Sequence, residues 1–393
     1  MVGLRYNTLY MANSNLTSAK KAKNDEFYTQ FNDIQKEIEA YLDRDKDTFR
    51  GKVVYCNCDD PLESNFFKFF ALNFNRLGLR RLITTSYKPS PIAGTLFPLE
   101  DYTNTEALPK SRPKDRAYRF VVDSTGDLNG DGRTDIKDIY LKLRKNQHNE
   151  SVELHGDKEY SPGDFRSQES VELLKQADIV VTNPPFSLFR EYVAQLVEFD
   201  KKFLIIGNMN AITYKEIFPL IKDNKLWLGV TNFNTGMYFL VPEDFQYAPT
   251  YKFDRERNGK KVNRVPGVCW YSNLDHGRRH QPLQLRDTRS IFKRPKHKVF
   301  VGKTEFDRYD NYDAIEVPFT DSIPSDYDGV MGVPISFLDK YSPEQFEILG
   351  ATESEGRGFS DGLWDEKSGV SQPVVKGERV YKRIFIKHRK GQN

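Results

Sequence analysis

The chain has 393 residues, of which 38% are hydrophobic and 29% are charged; this composition is typical of a globular protein with one large domain or two modest ones. No stretch approaches the roughly 20 apolar residues of a membrane helix, and the N-terminus lacks the apolar core and cleavage site of a secretory signal. Three cysteines, Cys56, Cys58 and Cys269, cannot form a disulfide framework and lack the paired spacing of a zinc site, so we expect a reduced, cytoplasmic protein.

The net charge of +3 is unevenly distributed along the chain. Residues 251–300 carry 14 Lys or Arg against 4 Asp or Glu, a balance of +10, so the other residues sum to about −7. Such a separation of charge indicates a polyanionic partner at 251–300. A solvated, loop-rich surface is the alternative explanation.

The first predicted elements are two strands with a helix between them. The apolar runs KVVYCNC (52–58) and RRLITTSY (80–87) predict the strands. The helix, residues 62–78, ends in glycine. Its phenylalanines repeat at helical spacing, at Phe66, Phe69, Phe70 and Phe74.

Further strands and helices alternate as far as residue 230. ADIVVT (177–182), KKFLIIGN (201–208) and KLWLGV (225–230) predict strands. A helix between the first two has apolar residues at Leu188, Phe189, Tyr192, Val193 and Leu196, and Thr213 is suited to cap a second helix over 214–224. Continuous apolar strands that alternate with amphipathic helices indicate an α/β fold, a doubly wound parallel sheet covered on both faces.

Two regions interrupt or follow this alternation. Residues 90–163, rich in Pro, Asp, Gly and Lys, are predicted to be a long insertion. From residue 231 the sequence is rich in Tyr, Pro, Asp, Gly and basic residues, and it predicts a second, less regular domain.

Two consecutive prolines follow the strand at 177–182, in the tetrapeptide Asn183-Pro184-Pro185-Phe186. Proline lacks the N–H that a sheet ladder needs, so the strand has to end there. In a doubly wound sheet, ligands bind beyond the carboxyl ends of the strands, which is where this NPPF loop is predicted to lie. The bland alternative is that the prolines merely end a strand.

The side chains of the NPPF loop suit an exocyclic amino group. The Asn183 side-chain oxygen and the Pro184 carbonyl can accept hydrogen bonds from an –NH₂ group and aim its lone pair at an electrophile. Phe186 offers a ring on which a base can stack, and such stacking contributes about 1–3 kcal/mol per base. The amino nitrogen can attack first and lose its proton afterwards, so positioning and electrostatic stabilisation would be sufficient for catalysis.

TNPPFSLFREY looks like the catalytic motif of S-adenosylmethionine-dependent amino-methyltransferases, and the longer sequence resembles the EcoRI-type adenine-specific DNA modification methyltransferases. The similar stretches span nearly the whole chain from about residue 20. They are KNDEFYTQ (23–30), KVVYCNCDDP (52–61), SNFFKFF (64–70), LLKQADIVVTNPPFSLFREY (173–192), KKFLIIGN (201–208), ITYKE (212–216), YDNYDAIEV (309–317) and YDGVMGVPISFL (327–338).

The resemblance implies methyl transfer from S-adenosylmethionine to the N6 amino group of an adenine in duplex DNA. Asn183 and Pro184 would hold the amino group, Pro185 would fix the loop, and Phe186 would stack on the flipped base. Flipping a base costs a few kcal/mol, which the aromatic pocket has to offset.

The resemblance also implies a Rossmann-like methyltransferase domain and its partners. Residues 21–230 would form the S-adenosylmethionine-binding catalytic domain, and 231–393 a smaller DNA target-recognition region. Residues 1–20 would be a flexible N-terminal extension, since Met11 lies where such proteins tend to begin. We expect a monomer that acts on duplex DNA, in a restriction-modification system with a cognate endonuclease.

Three segments are candidates for binding the cofactor. Tyr28 and Thr29 match the N-terminal cofactor motif of amino-methyltransferases. The loop after the first strand, Asn57-Cys58-Asp59-Asp60, has the position of the methionine-binding turn but lacks its glycines. The candidate residues there are Asn57, Asp59 and Asp60.

Either carboxylate of that loop matches the charge of the cofactor's ammonium group. Favourable placement of an acid at a helix N-terminus explains Asp59 or Asp60 almost as well. In GDFRS (163–167), Asp164 is a candidate for the amino group of the cofactor's adenine, and Phe165 for contact with its ring.

A calcium-loop pattern lies within the insertion, in DLNGDGRTDIKD (127–138). Gly132 is at loop position 6, where a sharp turn needs it, and IYLKLRK follows as a predicted exiting helix. The candidate ligands at positions 1, 3, 5, 9 and 12 are Asp127, Asn129, Asp131, Asp135 and Asp138. An acidic, Gly-rich surface hairpin is the alternative, and calcium, if bound, would order the insertion.

Basic residues in the 251–300 region are predicted to contact DNA phosphates, which positions a duplex without reading its sequence. The candidates are Arg278, Arg279, Lys293 and Arg294. A disordered basic excursion is the alternative.

Rival functions share the NPPF loop or the basic region. An rRNA guanine-N2 or release-factor glutamine methyltransferase would have a similar loop, but these enzymes usually keep the glycine-rich motif that is absent here. A catalytically silent DNA-binding protein is a further alternative. A cytosine-C5 methyltransferase needs a Pro-Cys nucleophile, and no cysteine of this chain follows a proline.

Overall fold

The structure is a computed structural model that describes residues 28–61, 64–87, 117–145, 151–231, 233, 235–241, 245–352, 359, 363 and 372–389. The predicted N-terminal extension, residues 1–20 with Met11, lies outside the described residues. Residues 90–116 and 146–150 of the predicted insertion also lie outside them.

Eighteen strands are present in the described residues. They are β1 (Tyr28–Thr29), β2 (Val53–Cys56), β3 (Arg81–Thr85), β4 (Ala117–Val122), β5 (Ser151–Leu154), β6 (Ile179–Thr182), β7 (Lys202–Asn208), β8 (Trp227–Leu228), β9 (Met237–Leu240), β10 (Glu256–Arg257), β11 (Lys260–Val265), β12 (Val268–Ser272), β13 (Ile315–Glu316), β14 (Met331–Pro334), β15 (Phe346–Ala351), β16 (Val374–Val375), β17 (Glu378–Arg379) and β18 (Arg383–His388).

The α-helices of the described residues are mostly short. They are α1 (Phe31–Arg44), α2 (Asn65–Leu72), α3 (Phe74–Leu77), α4 (Ile136–Lys145), α5 (Gln168–Gln176), α6 (Phe189–Glu198), α7 (Phe218–Lys222) and α8 (Thr288–Lys293). None of these described helices has both the length and the apolar composition that a membrane crossing requires.

The chain divides into two compact units. The first contains Met1–Asn208 and Thr231–Leu274, and the second contains Met209–Val230 and Asp275–Asn393. The sequence predicted a single boundary at residue 230, so the structure divides the chain differently. The reason is strand pairing: β12 pairs with β7, and β9 pairs with β1, so 231–274 belongs with the N-terminal strands.

The first unit is built on a large mixed sheet with the strand order β5-β4-β3-β2-β6-β7-β12. The four strands from β3 to β7 in this order are parallel, as the apolar runs predicted. β4, β5 and β12 are antiparallel to their neighbours and flank the parallel part. From β2 the chain continues to β3 on one side and later to β6 on the other side. The carboxyl end of β2 is therefore a topological switch point, where such sheets bind ligands.

The described part of the predicted insertion contributes regular structure to this sheet. β4 pairs with β3, and β5 pairs with β4, both antiparallel. Phe120 and Val122 of β4 are buried, as are Ile139 and Tyr140 of α4. The insertion is therefore partly an extension of the sheet and its core.

The core of the first unit lies between the sheet and its helices. All four residues of β2 and of β6 are buried. α2 presents Phe66, Phe67, Phe69 and Phe70 to the same hydrophobic cluster, which also contains Trp270 of β12. The Ser64 side chain caps α2 by accepting the N–H groups of Phe66 at 3.0 Å and Phe67 at 3.4 Å.

A second, smaller sheet belongs to the first unit and has the order β1-β9-β11-β10. β1 and β11 both pair with β9 in antiparallel register. This pairing connects the N-terminal candidate motif to a hairpin, β10–β11, in the basic region of the sequence.

The second unit contains a mixed sheet of order β13-β14-β18-β15. Its buried ion pair joins Arg383 of β18 to Glu316 of β13, and Tyr309 donates to the same carboxylate. Because both charged partners are buried, loss of either would leave an uncompensated charge. Of the predicted elements at 214–230, Phe218–Lys222 and Trp227–Leu228 are regular, and both fall in this unit.

Candidate active site

The NPPF loop begins where β6 ends, at the carboxyl edge of the large sheet. β6 lies between β2 and β7 and runs parallel to both, so the loops that follow these strands share one edge. Pro184 is buried, and Asn183 and Pro185 are half-buried. Pro185, at φ −56° and ψ 119°, keeps the chain extended before the next turn.

Phe186 begins a 3₁₀ turn, Phe186–Leu188, that leads directly into α6. The Leu188 N–H donates to the Pro185 carbonyl at 3.0 Å and closes the turn. Phe186 is half-buried against the hydrophobic core of the first unit. Core packing fixes the ring and leaves part of its surface accessible.

The loop after β2 is buried beside the NPPF loop. Asn57 is 2% exposed, and Asp59 and Asp60 are each 8% exposed. The Thr182 hydroxyl oxygen, one residue before Asn183, is 2.6 Å from the Asn57 carbonyl and 2.6 Å from Asp59 Oδ2. The Ser64 hydroxyl donates to Asp59 Oδ1 at 2.6 Å. Asp59 therefore connects the NPPF loop to the cap of α2.

Cys58 occupies the tight point of this loop with φ at +61°. Glycine adopts such a conformation most easily, and a side chain there is strained. The Thr85 hydroxyl donates to Asn57 Oδ1 at 2.9 Å and accepts the Cys58 N–H at 3.3 Å. These contacts hold a turn in the position of the glycine-rich motif without its glycines.

The N-terminal candidates lie next to the same cap. Tyr28 and Thr29 form β1, and the Asn65 side chain donates to the Thr29 carbonyl at 2.7 Å. Asn65 is the first residue of α2, directly after Ser64. Thr29 is 3% exposed, and its hydroxyl has no hydrogen-bond partner among the described residues.

The GDFRS segment is held by an arginine that the sequence did not single out. Arg166 donates to Asp164 Oδ1 at 3.0 Å and to Asp164 Oδ2 at 2.9 Å, and its third nitrogen donates to Glu191 of α6 at 2.9 Å. Phe165 is 2% exposed and packs edge-on against Tyr192, with ring centroids 4.9 Å apart. The two candidates are thus fixed beside the helix that follows the NPPF loop.

The sequence did not reveal three further residues of this site: Ser64, Arg166 and Thr182. Ser64 had a signal, because a serine before a helical run is typical of an N-cap. Thr182 gave none, because its partners Asn57 and Asp59 are 125 and 123 residues away. Arg166 gave none, because Glu191, which it contacts in addition to Asp164, is 25 residues away.

A family model described as adenine-specific methyltransferase EcoRI matches residues 15–389 of this chain. The chain belongs to this family. The resemblance recognised in the sequence is therefore confirmed, and so is the function at this level: the protein is an adenine-specific methyltransferase.

Curated relatives cover nearly the whole chain. The Type II methyltransferase M.EcoRI of Escherichia coli is 42% identical over 387 residues, 97% of this chain and 98% of that protein. The Type II methyltransferase M.MpnI of Mycoplasma pneumoniae is 34% identical over 375 residues, 94% of this chain and 97% of its own. The Type II methyltransferase M.MgeORF184P of Mycoplasma genitalium is 34% identical over 373 residues, with the same two coverages. No solved structure matches significantly.

Membership of the EcoRI adenine-specific methyltransferase family decides between the rival functions. A family acting on adenine leaves no place for a guanine-N2 or glutamine methyltransferase, although these share the NPPF loop. A catalytically silent binding protein is likewise not favoured, because the family is one of methyltransferases and the NPPF loop stands at the carboxyl edge of the sheet.

In the loop at 127–138, side chains of the candidate calcium ligands accept hydrogen bonds from the backbone N–H groups of the loop itself. Asp127 accepts the N–H groups of Gly130 at 2.7 Å and Gly132 at 2.8 Å. Asp138 is 1% exposed; burial opposes its ionisation, but backbone N–H donors from Asp135, Leu128 and Asn129 outweigh burial and lower its pKa. Within the described part of the chain, no three acidic, His or Cys side chains are arranged to hold a metal ion.

The other candidate ligands are also engaged locally. Asn129 and Asp131 accept backbone N–H groups two residues later, and Asp135 accepts that of Lys137 at 2.7 Å. Calcium binding at this loop therefore stays a prediction.

Two residues that were predicted to contact DNA, Arg278 and Arg279, contact other residues of the second unit. Arg278 pairs with Asp339 at 2.7 Å and donates to the Val230 carbonyl at 2.6 Å. Arg279 is 7% exposed, stacks on Trp227 at 3.6 Å and pairs with an aspartate four residues before it. A phosphate would have to replace these partners. Lys293 and Arg294 are exposed at the end of α8.

A different basic surface lies on the first unit, on residues 252–264, which we call the basic hairpin. It has six basic residues against two acidic ones. Arg257 lies 3.4 Å from the Tyr238 ring, and Arg264 lies 4.3 Å from the Phe253 ring. Its basic residues are Lys252, Arg255, Arg257, Lys260, Lys261 and Arg264. The aromatic rings hold guanidinium groups in place at an exposed surface.

Proposed function

We propose that this enzyme transfers a methyl group from S-adenosylmethionine to the N6 amino group of an adenine extruded from duplex DNA. One observation carries the proposal: the NPPF loop stands at the carboxyl edge of the sheet, beside the buried loop after β2, in a member of an adenine-specific methyltransferase family. The relatives named Type II methyltransferases support duplex DNA as the substrate.

The NPPF loop would hold the reacting amino group. Asn183 Oδ1 is buried, so an –NH₂ group bound to it would be shielded from water. With the Pro184 carbonyl as a second acceptor, the N6 lone pair would be free to attack an electrophilic methyl group. The new N–C bond would replace the C–S bond of the methyl donor, and N6 would release one proton to solvent. Phe186 would stack on the extruded base.

Residues around the cap of α2 suit the cofactor, which supplies an electrophilic methyl group when bound. The buried Thr29 hydroxyl has no partner among the described residues, and it lies in the strand whose carbonyl contacts the first residue of α2. A hydroxyl and a helix N-terminus together favour a carboxylate such as that of the methionine moiety. The proposed cofactor-binding residues are Tyr28, Thr29, Asn57, Asp59, Asp60, Asp164 and Phe165.

The duplex would be positioned by basic residues on exposed surfaces. Lys293 and Arg294 remain candidates in the second unit, and the basic hairpin adds a second set in the first unit. Arg278 and Arg279 would have to release Asp339 and the Trp227 ring before they could contact a phosphate.

The remaining proposals concern the cellular setting. We propose a cytoplasmic monomer paired with a cognate restriction endonuclease, as the Type II names of the relatives suggest. The three free cysteines, two of them buried, fit a reducing compartment. We also propose 1–20 as an extension, 21–230 as the catalytic region and 231–393 as the recognition region. The unit boundaries amend these ranges, because 209–230 belongs to the second unit and 231–274 to the first.

The decisive experiment follows the methyl group. The full chain is incubated with S-adenosylmethionine labelled in the methyl group and, separately, with duplex DNA from a host lacking adenine methylation, with ribosomal RNA and with protein. We expect label in duplex DNA alone, recovered as N6-methyladenine by mass spectrometry. Label in RNA or protein, or none in any of them, would contradict the proposal.

Asn183→Ala tests the role of the loop. We expect transfer to fall by about 10³-fold, because the amino group loses an acceptor that matters in the transition state. DNA affinity should change by less than about threefold, since phosphates dominate affinity. Asn75→Ala, at an exposed asparagine of α3, is the control and should retain transfer. Retained turnover in Asn183→Ala would refute the mechanism.

A further inference from the structure

Thr182 links the two loops of the active site through a single hydroxyl group. It is the last residue of β6 and directly precedes Asn183. Its oxygen lies 2.6 Å from the Asn57 carbonyl oxygen and 2.6 Å from Asp59 Oδ2. Thr182 is fully buried, so no water competes for either contact.

The protons at this junction can be counted. A threonine hydroxyl has one proton, a carbonyl oxygen can only accept, and an ionised carboxylate can only accept as well. With Asp59 ionised, two acceptors 2.6 Å from Thr182 would compete for one proton. With a proton on Asp59 Oδ2, Asp59 donates to Thr182 Oγ1 and Thr182 donates to the Asn57 carbonyl. Both short contacts are then complete hydrogen bonds.

The other oxygen of Asp59 adds no second proton. Ser64 donates its own proton to Asp59 Oδ1 at 2.6 Å. The Ser64 oxygen is already an acceptor, since it takes the Phe66 N–H at 3.0 Å as the cap of α2. The neutral form of Asp59 is therefore the one that satisfies each partner.

The charged and titratable groups around Asp59 favour this neutral form. Asp60 follows it in the loop, the thiols of Cys56 and Cys58 precede it, and the Tyr192 phenol faces it from α6. None of these groups is a cation, and no ion pair in the described part of the chain involves Asp59. Burial, as the largest cause, raises the pKa of Asp59 to about 7.

We propose that Asp59 is protonated in the cofactor-free protein, donates this proton to Thr182 as a positioning residue for Asn183, and releases it to solvent when the positively charged methyl donor binds. The second half rests on the proposed function. A nearby positive charge favours the carboxylate, so cofactor and proton bind in competition. Thr182 then turns its one proton from the Asn57 carbonyl to the ionised Asp59. This charge-assisted contact fixes the residue before Asn183 once the methyl donor is present.

Calorimetry of the full chain with S-adenosylmethionine measures the released proton. Titrations at about pH 6.5 in buffers of different ionisation enthalpy give the number of protons released per cofactor. We expect roughly 0.5–0.8 for the native chain, because a group with a pKa near 7 is mostly protonated at that pH. Asp59→Asn, which keeps a neutral donor in the same place, should bind the cofactor with almost no proton release.

Asp339→Asn is the matched control. Asp339 is also a buried carboxyl group with a raised pKa, caused by burial, but it lies in the second unit. This variant should release as many protons as the native chain. Equal release by the native chain and Asp59→Asn would overturn the proposal and leave the proposed methyl donor standing.

Infrared difference spectroscopy tests the cofactor-free state directly. We expect a protonated carboxyl C=O band at about pH 6 that disappears with a midpoint near 7 and that Thr182→Val shifts, because its hydrogen-bond partner is removed. Absence of such a band would overturn the proposal even if Asp59→Asn does not fold. If S-adenosylmethionine does not bind the native chain, the proposed function fails, while this band still reports on Asp59.

Discussion

Asp59 shows how burial sets the chemistry of one residue. Its carboxyl group is 8% exposed and contacts two hydroxyl groups and no cation among the described residues. The sequence predicted that Asp59 or Asp60 would face a cofactor's ammonium group. The side chain of Asp59 is instead directed to Ser64 and Thr182, so Asp60 is the better candidate for that contact.

The raised pKa of Asp59 makes stability depend on pH. Because the pKa is about 7 when folded and near 3.8 when unfolded, the folded state holds the extra proton between these values. The contribution of protonated Asp59 to the free energy of unfolding is fully present below about pH 4 and is lost as pH rises through 7. Asp59→Asn should therefore gain stability relative to the native chain as pH rises from about 4 to about 7, by a few kcal/mol.

Urea unfolding at several pH values, followed by circular dichroism, measures this difference. Asp339→Asn again serves as the comparison for a buried carboxyl in the other unit. A constant difference between the native chain and Asp59→Asn from about pH 4 to about pH 8 would show that the folded-state pKa is not raised.

Individual site residues differ in how far the sequence could predict them. The position of Asn183 and Pro184 at the end of a strand was predictable because proline has to end a strand, and their role in the site stays a prediction. Thr182 was not, since its role depends on β2 being the neighbour of β6. Arg166 was not, because a salt bridge to Glu191 depends on where α6 begins.

At the scale of elements, the stability of the short helix α2 depends on its N-cap residue, Ser64. It has eight residues, and Ser64 satisfies two of its first N–H groups while donating to Asp59. Ser64→Ala should lower the free energy of unfolding by about 1 kcal/mol, because the cap of the helix is removed. It should also weaken S-adenosylmethionine binding, because Asp59 loses a partner.

Asp287→Ala separates these two effects. Asp287 caps α8 by accepting the Ser290 N–H at 2.8 Å, so its removal has a similar cost in stability. It lies in the second unit, so we expect no change in cofactor affinity measured by calorimetry. Equal affinity in both variants would disprove a link between the cap and the cofactor site.

The loop at 127–138 gives a prediction about a single ion. If it binds calcium, titration of the metal-free chain should give heat at millimolar calcium or below, and magnesium should give less, because about seven or eight oxygen ligands suit calcium. Asp127→Asn combined with Asp131→Asn should abolish the heat. No heat with the native chain at millimolar calcium removes the calcium prediction.

Strands were easier to predict than their pairing. The continuous apolar runs identified β2, β3, β6 and β7, which form the parallel centre of the sheet. β4 lies in a Pro- and Asp-rich part of the sequence, and its place in the sheet follows from antiparallel pairing with β3. β12 lies far along the chain from its partner β7, and local sequence patterns do not indicate which distant strands pair with each other.

At the scale of the molecule, the uneven charge predicts how DNA affinity depends on salt. Lys252 and Lys260 of the basic hairpin are exposed. Lys252→Ala combined with Lys260→Ala should lower the slope of log K against log salt by about 0.9 for each DNA phosphate that the protein no longer neutralises. Fluorescence anisotropy with labelled duplex DNA measures this slope.

Lys36→Ala combined with Lys46→Ala is the matched control for the hairpin variant. Both lysines are exposed in the first unit, outside the basic hairpin, and the double variant removes the same charge. We expect an unchanged slope. The same reduction in both double variants would mean that overall charge, and not the hairpin, attracts the duplex.

The chain leaves the first unit after Asn208, returns at Thr231 and leaves again after Leu274. A recombination event that exchanged only the C-terminal stretch with a relative would leave Met209–Val230 behind. α7, which packs on β15 of the second unit, would then meet a foreign strand. If the second unit reads the DNA sequence, as proposed above, new sequence specificities should arise by substitution within it, or by exchanges with two breakpoints, more readily than by exchange of the C-terminal stretch alone.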